Sequence, residues 1–183
     1  MKKRILLLTG SPGVGKTSVL RKVVASLKAE GYSVGGMISH EVRSHDTRIG
    51  FEILDINNNR RGWLAHVNQK AGPQVGRYRV NMEDLEGLGV SAIAEATEKY
   101  DIVAIDEIGP MELFSKNFRE TVTKAVDSRK LVVGIIHWKA RNKLVDDVKK
   151  RGDVKLYVVT YENRDDLHRV IVKEAIEFLR HVF

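Results

Sequence analysis

A doubly wound α/β fold, with helices on both faces of a mainly parallel sheet and an antiparallel hairpin inserted in it, is the architecture that this chain of 183 residues predicts. Three observations carry that expectation. Short apolar runs alternate with segments of helical periodicity along the chain, the pattern of strands buried on both faces. A glycine-rich loop stands between the first such run and the first helix, where a parallel sheet places its ligand sites. One stretch, about residues 40–68, breaks the rhythm with two strand-like runs joined by Asn57-Asn58-Asn59.

The first element is Arg4-Ile5-Leu6-Leu7-Leu8-Thr9, an apolar run that makes a buried parallel strand. After it, Gly10-Ser11-Pro12-Gly13-Val14-Gly15-Lys16-Thr17 fits the phosphate-binding pattern G-x-x-x-x-G-K-S/T at every fixed position. Val19, Leu20, Val23, Val24 and Leu27 then recur at helical spacing, so the loop joins strand to helix. The chemistry needs that context. Glycines let the backbone turn its N–H groups inward around a phosphate, and the helix presents its positive end to the anion. Gly10, Ser11, Pro12, Gly13, Val14, Gly15, Lys16, Thr17 and Ser18 are therefore the candidate binding residues for a nucleoside triphosphate. Lys16 is expected to reach the β- and γ-phosphates. Thr17 is expected to offer its hydroxyl to Mg²⁺, a hard cation that takes oxygen ligands.

Gly31 ends the first helix, and residues 32–39 enter a second strand. Residues 48–56 alternate as a strand, the three asparagines turn, and residues 60–67 answer it as an antiparallel partner. Gly72-Pro73 and Gly76 mark a mobile loop carrying Lys70, Arg77 and Arg79. Asn81 is an N-cap for a helical segment over 82–99, with Gly87 and Gly89 as its weak points. A helix over 117–129, a buried strand over 131–136, a short helix over 142–150 and a last strand over 154–159 follow. The closing helix, from about Asp165 to Leu179, packs through Leu167, Val170, Ile171, Ala175 and Phe178.

Asp101-Ile102-Val103-Ala104-Ile105-Asp106-Glu107 sets apolar residues before two carboxylates, as in a Walker B strand. Such a strand delivers its acids to the same carboxyl edge as the phosphate loop. Asp106 is expected to hold Mg²⁺ through water, and Glu107 to act as general base. Side chains alternate along a strand, so only one of two neighbours faces the metal squarely. His137 ends the strand beside it, placed either to hydrogen-bond the γ-phosphate or attacking water or to cap the next helix. Trp63 and Trp138 read as packing residues rather than base-stacking ones. Arg43 and Arg48 read either as internal arginine fingers or as parts of a solvated strand face. The other histidines show no metal-ligand spacing.

Composition narrows the function classes. The length suits one domain over 1–183. No window holds the roughly 18 continuous apolar residues of a membrane span, and the N-terminus is no signal peptide, so a cytoplasmic protein is expected. The absence of cysteine excludes disulfides, thiolate metal sites and cysteine nucleophiles. A formal charge of +7 asks for a polyanionic partner, and a triphosphate is one. No RNP-type aromatic motif, zinc knuckle or helix-turn-helix signature accompanies the basic residues, which makes specific nucleic-acid binding the lesser expectation. The oligomeric state has no signal in the sequence.

The phosphate loop paired with Asp106-Glu107-Ile108-Gly109-Pro110-Met111-Glu112-Leu113 resembles the thermophile nucleoside-triphosphatase family, which has animal members. The resemblance covers nearly the whole chain, through Gly35-Gly36, Glu41-Val42-Arg43 with Gly50-Phe51, and Glu162-Asn163-Arg164. It implies a RecA-like P-loop NTPase core and slow hydrolysis of ATP, GTP, CTP, UTP and TTP to the diphosphates. Members often carry Lys where this chain has Pro110, while the phosphate and metal residues are unchanged.

Other activities share these motifs. A nucleoside or small-molecule kinase differs only in the phosphoryl acceptor, and an arginine-bearing lid would mark it; the loop with Lys70, Arg77 and Arg79 is the candidate. A GTP-dependent switch would use Asp106-Glu107-Ile108-Gly109 as D-x-x-G and Asn163-Arg164-Asp165-Asp166 in place of N-K-x-D. A nucleic-acid-stimulated ATPase would turn over faster with RNA or DNA and lose that effect steeply with salt. In each, the ligand spans the carboxyl ends of the strands, so the nucleobase falls against residues 160–164. Asn163 can donate and accept there, and Arg164 offers a planar cation for stacking.

Overall fold

Alternation along the buried strands divides the apolar side chains between two cores, one on each side of a sheet. In the computed structural model, which describes residues 2–182, the strands are β1 (Ile5–Thr9), β2 (Val34–Ser44), β3 (Thr47–Asp55), β4 (Arg61–His66), β5 (Gln74–Val75), β6 (Tyr78–Val80), β7 (Ile102–Ile108), β8 (Leu131–Ile136) and β9 (Val154–Val158). The helices are α1 (Lys16–Ala29), α2 (Met82–Asp84), α3 (Ser91–Lys99), α4 (Lys116–Asp127), α5 (Lys143–Lys150) and α6 (Leu167–Leu179). Ile5 and Leu7 of β1 join one core with α3, α4 and α5, while Leu6 and Leu8 join the other with α1 and α6. That is the doubly wound arrangement. No described helix is long and apolar enough to cross a membrane.

The strand order among the described residues is β5-β6-β4-β3-β2-β7-β8-β1-β9. From β9 to β2 every pairing is parallel. β2 then outlasts its partner: Val34 to Met37 pair with β7, and Met37 to Ser44 pair antiparallel with β3. The expected hairpin is real as β3–β4, but it is the middle of a larger antiparallel wing that begins in β2 and reaches Val80. The loop expected to be mobile is instead a short hairpin in which Val75 pairs with Tyr78 and Val80 with Ala65 of β4. Arg79 donates to the Gly72 carbonyl at 2.9 Å, and Arg77 is tied to the Arg48 carbonyl. Strands of two and three residues are too short to show periodicity in a sequence.

The helical segment after Asn81 is broken where its glycines fall, since Leu85–Val90 is a π-helical turn between α2 and α3. Val19, Leu20, Val23, Val24 and Leu27 are all buried on one face of α1. Each such side chain contributes about 1.5–3 kcal/mol on burial, which holds the helix start firmly at the end of β1. β8 lies between β1 and β7. The loops leaving these strands therefore stand side by side at one edge, and they carry the candidate residues.

Candidate active site

The phosphate loop takes its shape from backbone angles that few residues tolerate. Gly13 and Gly15 have φ of +76° and +110°, in the region where a side chain is strained. Gly15 is the N-cap of α1 and supplies no side-chain bond, so the first amides of the helix have no cap from that residue. The Lys16 ammonium lies across the loop, donating to the carbonyls of Gly10 at 3.0 Å and Ser11 at 2.9 Å. Gly10, Pro12, Gly13, Gly15, Lys16, Thr17 and Ser18 line a cleft of about 740 Å³. Val14 instead packs in the core beside α1, and Ser11 meets Lys16 through its backbone.

Asp106, Glu107 and His137 line the same cleft. Asp106 is 1% exposed, and its Oδ2 meets no hydrogen-bond donor. Burial, then the charge of Glu107, pushes its carboxyl up to about 7, with the Thr17 hydroxyl and Ser39 backbone offsetting part of the rise. Burial also raises Glu107, opposed by the neighbouring His137 and Lys16. A third carboxyl, that of Glu112, is buried in the lining and held well above the usual carboxylate range by burial and by its two acidic neighbours. Asp106 and Glu107 are neighbours on a strand and yet both line this cleft, where β7 is bulged. Ile105 pairs with Gly134 and Ile108 with Ile136, so three steps on β7 answer two on β8. A bulge re-aims side chains, and both acids reach one cleft.

His137 lines the cleft and does not cap the next helix, because Asn142 is the N-cap of α5. Its N–H donates to Ile108 O at 3.0 Å, and its Nδ1 accepts from the Lys139 N–H at 3.2 Å, tying down the turn that follows β8. With Nδ1 accepting, the neutral ring carries its proton on Nε2, which is free to donate.

The donor set fits Mg²⁺. An unpartnered, buried carboxylate oxygen sits with the Thr17 hydroxyl, both hard oxygen ligands. Among the described residues no three His, Cys, Asp or Glu side chains could hold a metal by themselves. Mg²⁺ needs no such cage, because it takes one or two protein oxygens and completes its shell with water and phosphate. The metal-free protein also carries a signature of this site. Asp106 is easier to protonate folded than unfolded, so its contribution to stability is fully present below about 3.8 and is lost as pH rises through about 7. Asp106→Asn in EDTA therefore melts higher than the parent at pH 8, with a smaller gap at pH 5. Equal gaps at the two pH values in thermal melts would contradict the burial argument.

The loop expected to meet the nucleobase lies outside the cleft lining, on the far side of β1. Asn163 Oδ1 accepts from Thr160 N–H at 2.9 Å and its Nδ2 donates to Val158 O at 2.9 Å, so this amide is committed to shaping its own loop. Arg164 stands 5.1 Å from the ring of Tyr161, which is 64% exposed, and reaches Val14 O of the phosphate loop at 3.4 Å. Asp166 is exposed and pairs with Arg169 at 3.3 Å. Trp63 packs edge-on against His66 as expected, whereas Trp138 is 43% exposed at the cleft. Arg43 pairs with Glu41 at 2.6 Å; Arg48 lines the cleft, held by Tyr78 at 2.8 Å and Glu41 at 3.2 Å. Glu112 stood in the Asp106–Leu113 string without an assigned role, and only its burial beside the other acids marks it. Arg21, Ser39 and His40 also line the cleft and carried no signal in the sequence.

A family described as NTPase matches residues 5–172. The nucleoside-triphosphatase THEP1 of Thermofilum pendens is 46% identical over 175 residues, 95% of this chain and 96% of its own. That of Methanothermobacter thermautotrophicus is 42% identical over 167 residues, 91% and 93% of the two chains. The crystal structure of THEP1 from the hyperthermophile Aquifex aeolicus is similar with a TM-score of 0.81 and 32% identity, covering 92% of this chain and 97% of that one. The solution structure of a human cancer-related nucleoside triphosphatase gives 0.78 and 34%, covering 94% and 96%. The family match runs from β1 into α6 and so takes in every loop that lines the cleft, and on that ground the chain belongs to this NTPase family.

Proposed function

We propose that this chain is a slow, Mg²⁺-dependent hydrolase of nucleoside triphosphates, converting ATP, GTP, CTP, UTP and TTP to the diphosphate and phosphate. One observation carries the reading: the phosphate loop, the unpartnered Asp106 oxygen beside Thr17, and Glu107 with Lys16 and His137 all line one cleft. Amides of the loop surround the β-phosphate, and the Lys16 ammonium moves from the Gly10 and Ser11 carbonyls onto phosphate oxygens. Asp106 and Thr17 would hold Mg²⁺, which would neutralise charge on the bound triphosphate. Glu107 takes the proton of the water that attacks the γ-phosphorus. Burial makes it a better base than a free carboxylate, while Lys16 and His137 favour its ionised form. His137 Nε2–H donates to a γ-phosphate oxygen as charge builds there. Arg48, read from sequence as either a finger or part of a solvated strand face, is tied to Tyr78 and Glu41, in keeping with slow turnover.

Base discrimination is weak in this reading, because Tyr161 and Arg164 offer a stacking face that every base can use, while the Asn163 amide is committed to its loop. Dissociation constants for ATP and GTP are expected to lie within about 100-fold, roughly 2.7 kcal/mol. A wider gap would refute broad specificity, and its loss in Asp166→Ala would place the selectivity at this loop. Steady-state phosphate release from the five triphosphates, with Mg²⁺ and with EDTA, tests the activity itself.

A further inference from the structure

The cleft continues past the groups that hydrolysis needs, and its far half has a different character. Strand order gives the direction: from β1 the edge passes β8, β7, β2, β3 and β4 in succession. Lys16, His137 and Glu107 stand in the first part. Beyond them the lining runs onto the antiparallel wing through Arg48, Phe51, Leu64 and Val75, with Met111 from the loop after β7. An attacking water takes up about 30 Å³ and needs polar partners, not apolar walls. Phe51, Leu64, Val75 and Met111 offer it none.

This wall is a braced surface and not a flap. β5 and β6 are paired into the sheet through β4. The Arg48 guanidinium lies 5.1 Å from the ring centroid of Phe51 and 5.5 Å from that of Tyr78, with Nε donating to Tyr78 Oη and Nη1 to Glu41. Its remaining N–H groups make no hydrogen bond to described residues, and a guanidinium fork suits a carboxylate or phosphate. Ser39, His40 and Glu41 of β2 add polar groups to this lining, and an apolar wall with a few placed polar groups and one oriented cation is the usual make-up of a small-molecule site.

We propose that this half is a second-substrate site, and that the enzyme transfers the γ-phosphoryl group to a hydroxyl compound with an apolar body and one anionic group. The proposal rests on the placement of the triphosphate argued above. The acceptor oxygen attacks the γ-phosphorus in place of water and forms the new P–O bond. The bond to the β,γ-bridging oxygen breaks, its electron pair leaves with the diphosphate, and the hydroxyl proton passes to Glu107. Phe51, Leu64, Val75 and Met111 hold the apolar body, and Arg48 holds the anion. Hydrolysis is the same displacement with water in the acceptor's place.

The test uses ATP labelled in its γ-phosphate, Mg²⁺ and 4-(hydroxymethyl)benzoate, an alcohol on an apolar ring with one carboxylate; labelled phosphate and labelled phosphate ester are measured separately. The expected result is ester formation that saturates with the probe. Benzyl alcohol, which lacks the carboxylate, half-saturates at a concentration at least about 10-fold higher, and Arg48→Ala removes that difference. Val75→Trp fills the pocket and lowers ester formation at least about 10-fold, while phosphate release without probe stays within about 2-fold of the parent. Phosphate release without ester, together with no saturable probe binding by saturation-transfer NMR, overturns the second site and leaves hydrolysis standing. Absence of both labelled products overturns the hydrolase reading instead.

Discussion

Glu107→Gln is expected to hydrolyse nucleoside triphosphates at least about 10²-fold more slowly than the parent chain, the usual scale of a lost general base, while still binding nucleotide and Mg²⁺. The substitution keeps the shape of the side chain and removes its proton affinity. Nothing in the phosphate grip depends on Glu107, since the loop amides, Lys16 and Thr17 come from the β1–α1 junction. Removing a charge that burial disfavours also leaves Asp106 easier to ionise, because Glu107 is one of the groups that raises it. Metal affinity in Glu107→Gln is therefore equal to or tighter than in the parent. Single-turnover hydrolysis and isothermal titration with Mg²⁺ and a non-hydrolysable analogue separate the two effects. The roles assigned to the acids are reversed if Asp106→Asn spares metal binding and Glu107→Gln abolishes it.

Lys16→Ala is expected to lose most of its triphosphate affinity. Each charge-assisted bond to phosphate contributes about 1.5–3 kcal/mol, so a lysine that bridges two phosphate groups accounts for at least roughly 10- to 100-fold in the dissociation constant. The fold does not rely on it. Among the described residues its ammonium bonds only to the carbonyls of Gly10 and Ser11, and no buried contact is lost when the side chain is cut back. Melting temperature is therefore little changed, and titration calorimetry with Mg²⁺-ATP reads the loss of binding. Hydrolysis at the parent rate in Lys16→Ala would sink the assignment of this loop.

The two sites of substitution differ in how they were found. Lys16 is readable from eight consecutive residues, because the loop is a local object: its glycine angles, its lysine and the helix that follows are set by adjacent positions. Asp106 and Glu107 are readable for a similar reason, since an apolar run ending in acids describes a buried strand and its exit. Their shared orientation was not readable. It depends on a bulge against β8, and β8 follows β7 in the chain only after a 3-10 turn and α4.

What the chain determined by itself is the alternation of strands and helices, the phosphate loop, the acidic strand end and the position of His137 after an apolar strand, all properties of neighbouring residues and their period. Tertiary structure alone decided the antiparallel wing, the burial of Glu112 among acids, the exposure of Trp138 and the commitment of Asn163 to its own loop. The wall of the cleft is closed by Arg48 meeting Tyr78, 30 residues on, and Arg164 reaches Val14 across 150. Backbone angles and side-chain periods act between adjacent residues and leave their mark in sequence. The choice of partner across a sheet is made by whichever distant segment buries the exposed edge and face best, and no local pattern records that choice.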